Sequence, residues 1–326
     1  MKKEKKDETT ESMIGNYFVK DKPLEFISSG CEILNCVLGG GYPLGRIVNI
    51  VGDKSTGKTL LAIEAFANFS RQFPNGKMYY HEAEASFDTD YAQALGMPIE
   101  NVNFIDTDTV EGFFEALTEV IDSHKKESSP GMYVLDSLDA LTDKAEKERK
   151  IADGSYAMTK QKKLSEIFRR LVSDIEKTNV CLLIISQVRD NIGVAFGEKY
   201  KRSGGKSLDF YASQILWLSE VEKLLRTVKG IKRPIGIKIK AKCKKNKISL
   251  PFRECEFPII FGYGIDDATG NLEFLNKVKG SLEEIGITEI KDVEELDLET
   301  KVKIAEQVKK IWKETEVGFL PKYKKY

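Results

Sequence analysis

The sequence predicts an α/β protein with a largely parallel central sheet, on three observations. Short apolar runs at 47–51, 77–81, 132–136, 180–186 and 214–218 alternate with helical patterns, the order expected when crossover helices cover the faces of a parallel sheet. The first run leads directly into Gly52-Asp53-Lys54-Ser55-Thr56-Gly57-Lys58-Thr59 and then a helical pattern, the setting of a phosphate-binding P-loop. The third run ends in Asp136, where such sheets place an acid beside a bound cation.

Size and composition set the frame. A chain of 326 residues is long for one compact domain and short for three. The expected division is a polar oligomerisation arm at 1–26, the nucleotide-binding core at 27–270 and a small helical region at 271–326. Lys plus Arg and Asp plus Glu balance at 51 each, so no global field announces nucleic acid or membrane, and any DNA contact must be a local patch. No apolar run is long enough for a membrane span, and Met1-Lys2-Lys3-Glu4-Lys5-Lys6-Asp7-Glu8 has none of the apolar stretch of a secretory signal, so a cytoplasmic protein is expected. Five cysteines without a C-x-x-C pair read as thiols, and two histidines leave little for a His-rich zinc site. The implied metal is magnesium, brought with nucleotide.

Along the chain, Gly52 and Gly57 let the loop wrap a polyphosphate, with the N–H groups of Asp53, Lys54, Ser55 and Thr56 turned inward and the next helix offering its positive end. Lys58 is expected to reach the β- and γ-phosphates, and Thr59 to ligate magnesium alongside Asp136. The run Tyr79-Tyr80-His81-Glu82-Ala83-Glu84 ends in two acids, either of which fits, by spacing, the base that orients an attacking water. The run at 180–186 leads into Gln187, an amide suited to contact the γ-phosphate. At 236–261, Ile237, Ile239 and Ala241 alternate with Lys238, Lys240 and Lys242, the pattern of a sheet extension. Beyond 271, Ser281-Leu282-Glu283-Glu284 has the form of a capping box, and Ile304, Val308, Ile311, Trp312 and Thr315 recur at helical spacing.

The order of these segments resembles the RecA recombinases. The resemblance covers about 27–265 and rests on Ile27-Ser28-Ser29-Gly30, Gly45-Arg46-Ile47-Val48, the P-loop, Glu82-Ala83-Glu84, Val134-Leu135-Asp136-Ser137, Gln187-Val188-Arg189, Gly193-Val194-Ala195-Phe196-Gly197, Gly204-Gly205, Phe210-Tyr211-Ala212-Ser213, and Lys245-Asn246-Lys247-Ile248 with Pro251-Phe252. It implies a RecA-type core that binds ATP with magnesium, Glu84 as the catalytic glutamate, and Gln187 as sensor of the γ-phosphate. Asp88, Tyr91 and Phe261 match the residues around the adenine. Lys245 and Lys247 match the lysine pair extended into a neighbouring subunit's ATP site. The implied partners are single-stranded DNA, homologous duplex DNA and further copies of the chain in a helical filament, with single-strand-binding and mediator proteins as possible additions.

For DNA, the resemblance points to the connection at 189–205, with Arg189, Lys201 and Arg202 toward phosphates, backbone N–H groups near Gly204 and Gly205, Ile192 as a wedge and Phe196 as a relay. It also points to 151–156 and the helix after it, where Lys162 and Arg169 match family cations. The chain departs from the bacterial pattern at Asp209 and Ile215, which stand where the family has lysine and arginine, and its end, Pro321-Lys322-Tyr323-Lys324-Lys325-Tyr326, lacks the acidic tail of many members. These departures suit a divergent, for instance phage-encoded, relative. The rival readings are a ring helicase on the same fold and a mediator or structural filament protein that binds ATP and barely hydrolyses it.

Overall fold

The computed structural model describes residues 23–127, 129–148, 157–190, 200–202, 207–287, 293 and 296–323. Its strands are β1 (Phe26–Ile27), β2 (Tyr42–Pro43), β3 (Ile47–Gly52), β4 (Lys77–Glu82), β5 (Val102–Ile105), β6 (Gly131–Asp136), β7 (Val180–Asp190), β8 (Tyr200–Arg202), β9 (Gln214–Val228), β10 (Ile231–Asn246), β11 (Arg253–Ile260) and β12 (Gly264–Ile265). Its helices are α1 (Glu32–Leu38), α2 (Lys58–Gln72), α3 (Thr89–Ala94), α4 (Val110–Glu127), α5 (Lys144–Glu148), α6 (Ala157–Lys177), α7 (Ser207–Tyr211), α8 (Asp267–Leu275) and α9 (Leu298–Gly318).

The main sheet runs β12-β11-β10-β9-β3-β7-β6-β4-β5, with β8 paired to β7. Neighbours from β9 to β5 are parallel, and β10, β11 and β12 extend the sheet antiparallel. The expected α/β core is thus present. Its central strands are mostly apolar because both faces are covered, and the buried Asn49 of β3 is satisfied by donating its amide to the Ile184 carbonyl and the Ser186 hydroxyl, each at 2.9 Å. On β6, Met132 and Val134 enter one core layer while Tyr133 and Leu135 enter the other, the alternation that a period of two imposes. The first layer is closed by α1, α2, α8 and α9, and the second by α4 and α6.

The parallel register gathers the site. Gly52 lies beside Gln187 and Glu82 beside Asp136, so the carboxyl ends of β3, β4, β6 and β7 share one edge. The same register carries β9 past the P-loop: Leu218 pairs with Gly52, and the strand runs on to Val228 before a Lys229–Gly230 turn returns it as β10. This distal ribbon leaves Val221, Leu225, Val228 and Ile231 exposed.

The structure differs from the sequence expectations in four places. The strand expected at 214–218 is only the base of β9, whose outer part is largely exposed. β5 was not anticipated; it is an edge strand in which Asn103 and Phe104 are exposed. Ser281 does not cap a helix, because its hydroxyl donates to the Leu275 carbonyl, and the residues after it form only a short 3-10 turn. The connection expected at 189–205 is paired at both ends, β7 reaching Asp190 and β8 returning against it. Toward the end of the chain, Ile304, Val308 and Ile311 of α9 join the first core layer, and Trp312 packs on Phe274 with ring centroids 5.9 Å apart. No helix among the described residues is long and apolar enough to cross a membrane.

Candidate nucleotide site

The P-loop joins the end of β3 to the start of α2. Gly57 is the N-cap of α2 at φ 82, with no side-chain cap on the helix and no acid in its first turn. The first-turn N–H groups are left facing outward, as anion binding requires. A side chain at Gly57 would be strained by that φ and would also meet Ile259 Cδ1 at 2.6 Å. The loop is braced by Thr56, whose hydroxyl donates to the Asp53 carbonyl at 2.9 Å, and by the Lys54 N–H, which donates to Asp53 Oδ1 at 2.7 Å. Ser55 adopts φ 58 at the exposed turn. Lys58 folds back so that its ammonium donates to the Asp53 carbonyl at 2.7 Å. Burial pushes the pKa of Lys58 below its usual value, against the pull of Asp136, Glu84, Asp53 and Asp139.

Asp136 closes β6 and is 6% exposed. Its Oδ2 accepts from the Thr59 hydroxyl at 2.7 Å and from the Tyr80 hydroxyl at 2.8 Å. Burial holds its pKa above the ordinary carboxylate value; those two hydrogen bonds oppose the rise, and Glu84 and Glu82 add to it. A desolvated acid among further acids, beside a threonine hydroxyl and an uncapped helix end, suits a divalent cation carried by a polyphosphate. Thr59 and Asp136 would hold that cation.

The two acids left open by spacing have different surroundings. Glu82 Oε1 accepts the Glu84 N–H at 2.9 Å and the Ser86 N–H at 3.4 Å, which ties Glu82 to the turn after β4. Glu84 Oε1 instead accepts from the Gln187 amide at 3.0 Å and, in a short hydrogen bond, from the Ser137 hydroxyl. Glu84 and Gln187 are therefore brought together, 103 residues apart in sequence.

Asp88 caps α3, accepting the Tyr91 N–H at 2.9 Å. Tyr91 is half-buried against the first core layer, and burial followed by the charge of Glu64 raises its pKa. Glu64 also accepts the Ile265 N–H of β12 at 3.2 Å, and β12 begins three residues beyond the exposed Phe261.

Lys245 and Lys247 are not brought to this P-loop. Ser213 donates its N–H to the Ile47 carbonyl and accepts the Lys247 N–H, which fixes the pair at the start of β3. The P-loop leaves from the other end, five residue steps away or roughly 16 Å at strand rise. Both ammonium groups donate to carbonyls at the end of α7, Lys245 to Asp209 and Phe210 and Lys247 to Phe210. Ile215 is buried on β9, paired with Lys245.

Of the DNA-facing candidates, Lys162 and Arg169 are exposed on α6. The β7–β8 register sets Arg189 opposite Lys201 and Val188 opposite Arg202. Ile192, Phe196, Gly204, Gly205, the 151–156 segment and residues 1–22 of the arm lie outside the described residues.

Sequence reasoning missed Tyr80, Ser137 and Asp139. For Ser137 the signal is its place directly after Asp136, whereas nothing in the run around Tyr80 sets that residue apart. Asp139 Oδ2 accepts the Gln187 N–H at 2.7 Å, a contact that no local pattern announces.

The family model described as RecA N-terminal domain matches residues 3–266. Protein RecA of Rippkaea orientalis is 36% identical over 242 residues, 74% of this chain and 66% of that protein. Protein RecA of Streptomyces venezuelae is 34% identical over 253 residues, 77% of this chain and 64% of that protein, and Protein RecA of Synechococcus sp. WH7803 is 37% identical over 243 residues, 74% and 60%. The matched region thus spans somewhat less than two thirds of these relatives. Because the match runs through the P-loop, the strand ends that face it and the lysine-bearing strand behind it, the chain belongs to the RecA family.

Proposed function

We propose that this protein is an ATP-dependent recombinase that polymerises on single-stranded DNA, pairs it with homologous duplex and exchanges strands, with ATP held between adjacent subunits. The observation that carries the reading is the hydrogen bond from the Gln187 amide to Glu84 at 3.0 Å. It joins the residue suited to activate water to the residue suited to sense the γ-phosphate, on a strand that leads into the β7–β8 ribbon.

The P-loop N–H groups and Lys58 would bind the β- and γ-phosphates, with Asp88, Tyr91 and Phe261 around the adenine. A magnesium ion on Thr59 and Asp136 supplies charge neutralisation at those phosphates when bound. Glu84 takes a proton from water as its oxygen attacks the γ-phosphorus and the bond to the bridging oxygen breaks. With ATP bound, the Gln187 amide would turn from Glu84 to a γ-phosphate oxygen. Its transfer frees the carboxylate for water and gives ATP a contact that ADP lacks, which is the differential a nucleotide switch needs. Lys245 and Lys247 would stabilise charge on a neighbouring subunit's γ-phosphate. Lys162, Arg169, Arg189, Lys201 and Arg202 would meet DNA phosphates, with Ile192, Gly204 and Gly205 in the connecting loop.

The test is strand exchange between a circular single strand and homologous linear duplex, with electron microscopy of the same mixtures. Joint molecules that need ATP, together with helical filaments, are the expected result. Rings with unwinding activity would instead favour a helicase, and filaments without turnover or exchange would favour a scaffold.

A further inference from the structure

Pairing of β6 with β7 ends at Leu135 and Ile184. The chain after β6 nevertheless stays attached to β7, first through the Leu138 N–H to the Ile185 carbonyl at 3.0 Å. Asp139 then supplies what a further main-chain rung would have supplied, its Oδ2 accepting the Gln187 N–H at 2.7 Å. The Asp139 carbonyl in turn accepts from the Lys160 ammonium at 3.1 Å, and the Leu141 carbonyl accepts from the same ammonium in a short hydrogen bond. Lys160 is half-buried in the first turn of α6, the helix that carries the exposed cations Lys162 and Arg169. A continuous line of hydrogen bonds therefore runs from Glu84 through Gln187, Asp139 and Lys160 to α6.

We infer that Asp139 and Lys160 are positioning residues that carry the nucleotide state of Gln187 to α6, so that this helix meets single-stranded DNA differently in the ATP and ADP states. The inference rests on the sensor role proposed above for Gln187. When the amide moves from Glu84 toward a γ-phosphate oxygen, the Gln187 backbone moves with it, and the carboxylate on its N–H draws along the turn at 137–141. Two carbonyls of that turn hold Lys160, so the start of α6 follows. The second Asp139 oxygen, Oδ1, is buried and has no hydrogen-bond partner among the described residues. That is a costly state for a carboxylate oxygen, and it suits a turn built to change partners.

The experiment measures affinity for a fluorescent oligo-dT by anisotropy, with magnesium and saturating ADP or a slowly hydrolysed ATP analogue, for the full chain and for Asp139→Leu, Asp139→Asn and Lys160→Met. The wild type should bind about tenfold or more tightly in the ATP-analogue state, within the usual range of coupling between sites. Asp139→Leu and Lys160→Met should each shrink that ratio to about twofold, and the double change should do no more than either alone, because both cut one line. Asp139→Asn keeps an acceptor for the Gln187 N–H and should keep most of the ratio. A residue that merely supported the fold would weaken binding equally with both nucleotides and leave the ratio unchanged; that result overturns the relay, as does an Asp139→Asn variant as uncoupled as Asp139→Leu. Should Asp139→Leu not fold, Lys160→Met decides alone. A wild type indifferent to nucleotide overturns the sensor reading and the relay together, whereas a nucleotide-dependent wild type with unaltered variants overturns the relay only.

Discussion

At its carboxyl end β3 meets carboxylates, and at its amino end it meets lysines. The carboxyl end gathers Glu82, Glu84 and Asp136 around the loop that carries Lys58, and these four side chains each hold a hydrogen bond within the chain. The amino end presents Lys245 and Lys247, steadied by the last carbonyls of α7, beside a Phe210 ring that is 70% exposed. One end is arranged to receive a polyphosphate, and the other presents cations held on carbonyls of α7. Because a rigid strand separates them, no side-chain movement within one chain can join them. On the proposed reading, the lysines of one subunit complete the acid-rich end of the next.

Mixing variants tests that separation most severely. Lys245→Ala with Lys247→Ala should still bind ATP while DNA-stimulated hydrolysis falls by about 10³ to 10⁵, the range for cations supplied in trans to a phosphoryl transfer. Lys58→Ala should be inactive for want of phosphate binding. Combined on single-stranded DNA, the two inactive proteins should regain part of the rate, since the intact P-loop of one faces the intact lysines of the other. Co-assembled filaments that stay inactive at every ratio would show that the two ends do not cooperate across subunits.

A smaller loss is expected from a change confined to the acid-rich end. Glu84→Gln keeps the Gln187 and Ser137 donors supplied with an acceptor but cannot take a proton, so turnover should drop by about 10² to 10⁴ while ATP binding and filaments persist. Glu82→Gln, at a side chain tied to the turn after β4 by hydrogen bonds from the Glu84 and Ser86 N–H groups, should cost far less. Equal losses in steady-state hydrolysis for the two variants would remove the distinction their surroundings suggest.

How much of this was legible in sequence differs between the same regions. The inner strands could be read because both of their faces are buried, and the P-loop because its chemistry is consecutive in the chain. β5 and the outer part of β9 could not, since their residues answer to solvent, and a stretch such as Glu220-Val221-Glu222-Lys223-Leu224-Leu225 carries no period-two signal. Glu84 could be preferred over Glu82 only through the family order, because the Ser137 and Gln187 contacts that separate them arise from the sheet register. The Asp139 to Gln187 bond and the attachment of Lys245 to α7 likewise join residues far apart in sequence, and no local pattern encodes either.

A third prediction lies on α6, away from both ends. Lys162→Ala and Arg169→Ala should weaken binding to single-stranded DNA and lower the steepness of its log–log salt dependence by about 0.7 for each phosphate that is no longer neutralised. Hydrolysis at saturating DNA should hardly change. An unaltered slope, measured by titration at several salt concentrations, would move the DNA face elsewhere.

The smallest expected effect belongs to a carboxylate that serves neither end and so acts as a control on both. Asp267 opens α8, and its Oδ1 accepts the Glu32 N–H at 2.6 Å, capping α1 from 235 residues away where the N-cap residue Cys31 provides no side-chain cap. Burial, the largest cause, raises its pKa to about 6 from 3.8, although the hydrogen bond from Glu32 lowers it. A carboxyl that holds its proton more tightly when folded contributes fully to stability below its unfolded pKa, and that contribution is lost as the pH rises through about 6. At pH 7.5 the ionised group is therefore a liability of about 1–2 kcal/mol once partial solvent screening is allowed for. Asp267→Asn retains an acceptor for the Glu32 N–H and removes the charge, so it should raise Tm at pH 7.5 by about 2–4 °C. The gain should be about half as large at pH 5.0, because only part of the window has been crossed there. Hydrolysis, DNA affinity and the mixing behaviour should not change. A gain of the same size at both pH values would show that Asn improves the cap itself rather than relieving a buried charge.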